Sequence, residues 1–128
     1  MHKSRLGGFI IDCKTDDLAG AADFWSQALG MEQIRKPTDE PSPEKYVHLK
    51  NQANHLDVEV QTVDHPSRVH LDIETDDIEA EVKRLEKLGA RKVQQIDSWW
   101  VMEAPTGQRF CVVRARQDGF AAQANVWK

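Results

Sequence analysis

Apolar and polar positions follow two different periods along this chain, and the two periods recur in the same order twice. Phe9-Ile10-Ile11-Asp12-Cys13-Lys14-Thr15-Asp16-Asp17-Leu18 and Val69-His70-Leu71-Asp72-Ile73-Glu74-Thr75-Asp76-Asp77-Ile78 align without gaps at an offset of 60 residues. Asp, Thr-Asp-Asp and an aliphatic fall in the same places, which marks a duplicated unit. Ile10 to Cys13 and Val69 to Ile73 are short and rich in aliphatic residues, so each predicts a strand. Thr-Asp-Asp then supplies helix-capping side chains, and Asp76 with Glu79 predicts a capping box in the second copy. The period then lengthens. Leu18, Ala22, Trp25 and Leu29 follow one another at helical spacing, as do Ile78, Val82, Leu85 and Leu88. Leu29-Gly30 and Leu88-Gly89 end the two helices, because glycine accepts the left-handed backbone that stops them.

Three strand-like segments follow each helix: Glu32 to Lys36, Tyr46 to Lys50 and His55 to Val63 in the first copy, then Arg91 to Ile96, Trp99 to Glu103 and Arg109 to Ala115 in the second. Asn51-Gln52-Ala53-Asn54 and Ala104-Pro105-Thr106-Gly107-Gln108 have the composition of hairpin turns. Pro37 to Pro43, with three prolines, reads as a loop. The expected fold is α+β: one domain over 1–128 made of two tandem βαβββ modules, about 6–63 and 67–116, with a tail over 117–128. Each helix covers one face of its sheet, and the other face is free to curve around a cleft. The tail shows no period; Phe120 and Trp127 are its means of packing onto the domain or onto a second subunit.

Composition narrows the class. At 128 residues, 40% apolar and 30% charged, the chain suits a folded domain that needs no disulfide or metal to hold its core. The net charge of −4 and the absence of a basic face argue against nucleic acid. No apolar run reaches the length of a membrane span. The apolar stretch after Lys3-Ser4-Arg5 is only Phe9-Ile10-Ile11, too short for a secretory signal, so a cytoplasmic location is expected. Cys13 shares a face with Ile11 under the helix and Cys111 shares one with Val113, so the two are expected to be reduced rather than bridged.

Several motifs together resemble a known superfamily. They are Asp23-Phe24-Trp25 with Ala28-Leu29-Gly30, Val69-His70-Leu71-Asp72, Arg84-Leu85 with Leu88-Gly89-Ala90, and Trp100-Val101-Met102 with Pro105, Gly107 and Phe110-Cys111-Val112. The set resembles the glyoxalase/bleomycin-resistance/dioxygenase (vicinal oxygen chelate) superfamily, and most of all its small bacterial glyoxalase-like domains, over about residues 6–116. The resemblance implies a mixed sheet cupped around a cleft, helices on the outer faces, a small-molecule ligand and a homodimer.

Strand alternation assigns the faces. Val69, Leu71 and Ile73 are expected under the helix, with His70, Asp72 and Glu74 in the cup. Leu56, Val58 and Val60 go to the core, leaving Asp57, Glu59 and Gln61 on the other face; Ile10, Asp12 and Lys14 lie on the cup side, as do Cys111 and Val113. Trp99 and Trp100 point to opposite faces, so one of them lines the cup. The superfamily's metal-using members take one ligand from each of four strands, and those positions here are Ile10, Asp57, His70 and Cys111. Ile10 cannot ligate, so no cofactor is expected; a divalent metal, if held, would fall on His70 with Asp57 or Glu59.

Three functions stay open. The first is a small-molecule-binding protein with a polar cleft centred on His70 and no complete metal site. The second is an enzyme, either a metal-dependent lyase or dioxygenase using His70 with Asp57 or Glu59, or a metal-free acid/base catalyst using His70, which is the best catalytic candidate. The third is an interaction module whose cleft is filled by its own tail. Asp12 and Asp72, at matched positions in the repeat, are read as partners for backbone or nearby cations rather than as catalytic groups.

Overall fold

The two copies of the repeat begin their helices with the same local bonds. Thr15 Oγ1 accepts from the Asp17 amide and Asp17 Oδ1 from the Gly20 amide; sixty residues on, Thr75 Oγ1 accepts from the Asp77 amide and Asp77 Oδ1 from the Ala80 amide. The N-cap of the second helix is therefore Asp77 and not Asp76. Asp76 is occupied elsewhere, accepting from the Lys3 amide at 2.8 Å.

The computed structural model describes residues 1–34, 45–51, 55–115 and 119–128. Its element order is β1 (His2–Cys13), α1 (Leu18–Leu29), β2 (Gln33–Ile34), β3 (Tyr46–Leu49), β4 (Asp57–Thr62), β5 (Arg68–Thr75), α2 (Ile78–Lys87), β6 (Arg91–Ile96), β7 (Trp99–Glu103), β8 (Arg109–Arg114), α3 (Phe120–Gln123) and β9 (Asn125–Trp127). The order is βαβββ twice, in a mixed α+β fold. The predicted loop over 37–43, the end of the strand predicted over 32–36, and residues 52–54 of the predicted turn lie outside the described residues. No helix among the described residues is long and apolar enough to cross a membrane.

The described chain divides into two units, Phe9–Val69 and Met1–Gly8 with His70–Lys128. In the first the strands run β2-β3-β4-β1; in the second they run β1-β5-β8-β7-β6, with β9 also on β1. The pairs β2–β3, β3–β4, β6–β7 and β7–β8 are antiparallel, while β5 and β8 run parallel. Gly30 and Gly89 both take positive φ at the ends of their helices, as the Leu-Gly pattern predicts.

Each unit has its own core. Ile11, Leu49 and Val60 pack with Leu18, Trp25 and Val58 in one; Val82, Leu85, Met102 and Val112 pack with Ile73, Ile78, Trp100 and Phe110 in the other. Burial of one such aliphatic side chain contributes about 1.5–3 kcal/mol. Three expectations are corrected here. First, β1 starts at His2, eight residues before the predicted strand. Its amino-terminal part is polar, and its partner β9 could not be read from the tail. Second and third, Val69 and Leu71 are 59% and 43% exposed, so of the three β5 residues expected under the helix only Ile73 packs there. Leu71 corresponds to Ile11, which is 9% exposed and packs with Trp25. The residue matching Trp25 in α2 is the smaller Leu85, and α2 is two residues, about 3 Å, shorter than α1. The shorter helix and smaller side chain do not reach the start of β5.

Candidate functional site

Among the described residues, two clusters of metal-ligating side chains stand on the sheet faces turned away from the helices, and both arise from one arrangement. Two residues at alternate positions of a strand project on one face, and a neighbouring strand sets a third beside them. On β5 these are His70 and Asp72, with Cys111 of β8 the register partner of Asp72. On β4 they are Asp57 and Glu59, with His48 of β3 the register partner of Glu59. The donor atoms in each cluster lie within 4.8 Å of one another, and all six residues are half-buried.

In the first cluster His70 Nε2 lies 3.4 Å from Asp72 Oδ1. Ile73 and Val112 turn to the α2 core, which puts His70, Asp72 and Cys111 on the opposite face. Trp100 also belongs to the α2 side, with the Lys92 ammonium 5.0 Å from its ring centre. Alternation therefore sends Trp99 to the Cys111 face. Glu74 stands on this face too, yet it is 3% exposed and accepts from Arg5 Nε at 2.5 Å. Gly7 lies beside it: a Cβ there would come 3.2 Å from the Glu74 side chain, which would have to give by a few tenths of an ångström. The tail covers the pair. Arg5 Nη1 donates to Gln123 Oε1 at 3.3 Å, and the Arg5 guanidinium lies 5.4 Å from the Phe120 ring centre.

In the second cluster His48 Nδ1 is 3.0 Å from Asp57 Oδ1 and 3.3 Å from Glu59 Oε1. Burial pushes the Asp57 carboxyl up. Its hydrogen bonds with His48 and Glu59 and the His48 charge more than offset this, and hold it below the ordinary carboxylate value. Tyr46 sets its ring edge-on to His48, with centroids 5.3 Å apart. Gln61, next along this face, is the register partner of Tyr46. Sequence reading missed His48. Its signal was its place between Val47 and Leu49, which sends it to the face of Asp57 and Glu59.

Asp12 is 2% exposed, with Arg68 Nε at 3.7 Å and His65 Nε2 at 3.9 Å. Ile10 is 2% exposed. Cys13 and Cys111 are both free, and burial raises the Cys13 thiol above its ordinary value, which keeps it unreactive.

The repeat fixes which positions correspond. Leu49 pairs with Val58 as Met102 pairs with Phe110, and Val60 and Val112 are both fully buried. Cys111 thus matches Glu59 rather than Asp57, because the offset between modules falls from 60 at β1/β5 to 52 at β4/β8. The positions expected to ligate a shared ion become Ile10, Glu59, His70 and Cys111. Ile10 brings a hydrocarbon to that set and cannot itself ligate an ion. Each local trio, by contrast, offers three donors: nitrogen, oxygen and sulfur at His70, Asp72 and Cys111, and one nitrogen with two oxygens at His48, Asp57 and Glu59.

The glyoxalase-like domain family model matches residues 8–113, and the chain belongs to that family. Comparison with curated proteins gives no match. Among solved structures the chain is similar to hypothetical protein BH1468 from Bacillus halodurans C-125, with TM-score 0.64 and 11% identity over 89% of this chain and 96% of that one. It is similar to methylmalonyl-CoA epimerase from Mycobacterium tuberculosis, with TM-score 0.57 and 14% identity over 87% and 88%. It is also similar to an extradiol ring-cleaving dioxygenase from B. fuscum, with TM-score 0.59 and 13% identity over 88% of this chain but 33% of that one. At these identities the likeness is one of fold.

Proposed function

We propose that this chain binds a small, oxygen-bearing molecule on the β5–β8 face at His70, Asp72 and Cys111. The observation that carries the reading is their convergence on a face the helix leaves open. An imidazole with a carboxylate 3.4 Å away can donate to or accept from a ligand oxygen, and Val101, the register partner of Cys111, stands beside it. Glu74, with its charge met by Arg5, shapes the end of the site rather than contacting the ligand. The matched position Ile10 argues for binding without the four-strand metal set, and the fold similarity to an epimerase and a dioxygenase leaves acid/base catalysis by His70 as the enzymatic form of the same reading. Screening a library of hydroxy acids, diketones and catechols by thermal shift tests it. A ligand at about a hundred times its Kd should stabilise the protein by about 2.7 kcal/mol. His70→Ala and Cys111→Ser should each abolish that gain, and a ligand held equally well by both variants would refute the assignment.

A second reading has the tail occupying part of this face, and the placement of Phe120 and Gln123 over Arg5 and Glu74 favours it. Truncation before residue 119 should then raise binding of a fluorescent apolar dye, while unchanged dye binding would count against it.

A further inference from the structure

We propose that the β3–β4 hairpin holds a divalent first-row metal ion on His48 Nδ1, Asp57 Oδ1 and Glu59 Oε1. The site is complete within two neighbouring strands of one module, unlike an ion shared by four strands. Three observations carry it. The first is spacing. Ligands about 2.1 Å from one ion stand about 3.0–3.4 Å from one another, whether the ion is octahedral or tetrahedral. The His48 nitrogen stands 3.0 and 3.3 Å from the two carboxylate oxygens. The second is proton accounting. A single imidazole nitrogen carries one proton or one lone pair, yet two carboxylate oxygens converge on His48 Nδ1. Asp57 and Glu59 present their carboxylates on one strand face with donor atoms within 4.8 Å of each other, and a cation between them offsets their mutual repulsion. One ion among the three donors satisfies every contact at once.

The third observation is preorganisation. The His48–Glu59 pair is fixed by ladder register, Asp57 follows from strand alternation, and the Tyr46 ring stands edge-on to the imidazole. The cluster keeps enough exposure, 26%, 30% and 19% for the three side chains, for water to fill the remaining coordination positions. One nitrogen and two oxygens suit zinc, manganese or iron(II) better than copper(I) or calcium.

The test uses the full chain without a histidine tag, stripped with chelator and dialysed against zinc or manganese. The expected result is one ion per chain by elemental analysis. Cobalt(II) in its place should give a visible spectrum of a nitrogen–oxygen site, without the intense thiolate charge-transfer band that ligation by Cys111 would produce. His48→Ala and the isosteric Asp57→Asn should each weaken binding by about tenfold or more, whereas the double variant His70→Ala/Cys111→Ser should bind as the parent does. Thermal melts of the metal-free proteins show that each variant is folded, and Asp57→Asn preserves the volume of the site if His48→Ala does not fold. No stoichiometric ion, full binding by folded Asp57→Asn, or loss of the ion only in His70→Ala/Cys111→Ser would each overturn the proposal. The small-molecule reading rests on different residues, so either can fail while the other stands.

Discussion

Glu81 occupies a place on α2 where the helical period calls for an apolar side chain, three residues after Ile78 and four before Leu85, and it is fully buried. Burial pushes its carboxyl up. Hydrogen bonds from Arg84, Ser4 and His2, with the Arg84 charge, more than compensate and hold it below the ordinary value of 4.5. Arg84 meets it with two bonds of 2.7 and 2.8 Å, and His2 with one of 2.9 Å. Removing one partner of a buried pair leaves the other charge uncompensated, so Glu81→Ala should cost about 3–5 kcal/mol in urea unfolding. The pH dependence has a definite sign. Because the folded-state value is depressed, the stabilisation is complete above 4.5 and is lost as the pH falls from there through the depressed value. Glu81→Gln should therefore be less stable than the parent at pH 7 and should lose less on acidification, and parallel acid curves for the two would contradict this. Single residues were unevenly legible. His70 and Cys111 could be placed on one face by alternation alone. Glu81 broke the apolar stripe, a signal that a core position held a charge, and Arg84 stood within reach on the same helix, but its other partners, Ser4 and His2, came from the amino terminus, 79 residues away in the case of His2.

At the scale of elements, the helices and their ends followed from local chemistry, and so did the strands with strong alternation. What did not follow was whatever depended on a distant partner. The run His2-Lys3-Ser4-Arg5-Leu6 has no apolar alternation of its own and becomes strand because β9 and β5 pair with β1. The tail, aperiodic in sequence, forms α3 and β9 for the same reason. β9 pairs His2 with Trp127 and Ser4 with Asn125. Trp127 Nε1 donates to Ser4 Oγ at 2.8 Å, Arg84 lies 3.9 Å from a Trp127 ring centre, and Lys3 Nζ donates to the Ala121 carbonyl. The tail thus reaches both faces of its unit: Trp127 joins Arg84 of α2, and Phe120 meets Arg5 on the other side. Truncation before residue 119 should lower the melting temperature as well as open the Arg5–Glu74 face. The lost hydrogen bond and cation–π contact of Trp127 alone amount to about 1–2 kcal/mol. A truncated chain that melts with the parent would show that these contacts carry no net stability.

The whole molecule is a duplication that kept its frame and changed its contents. Core positions correspond across the modules, as Leu49 with Met102 and Val60 with Val112, while open-face positions differ, as Ile10 with His70 and Glu59 with Cys111. The sequence repeat was visible only at β1 and β5. By β4 and β8 the offset had changed, and a gapless comparison lost the match between Glu59 and Cys111. One unit is also discontinuous, joining residues 1–8 to 70–128. A fragment of residues 70–128 should therefore remain unfolded by amide NMR dispersion. The same fragment with residues 1–8 attached directly after Lys128 should fold, since the His2–Trp127 pairing leaves a two-residue hairpin connection. If 70–128 folds unaided, the strand from the amino terminus is dispensable. The pairing also fixes an order of events during synthesis. Residues 2–4 leave the ribosome before their strand partner, residues 125–127, which is made roughly ten seconds later at ordinary translation rates. The segment Phe9–Val69 is contiguous and can be complete long before that, so residues 2–4 must wait on that edge for residues 125–127.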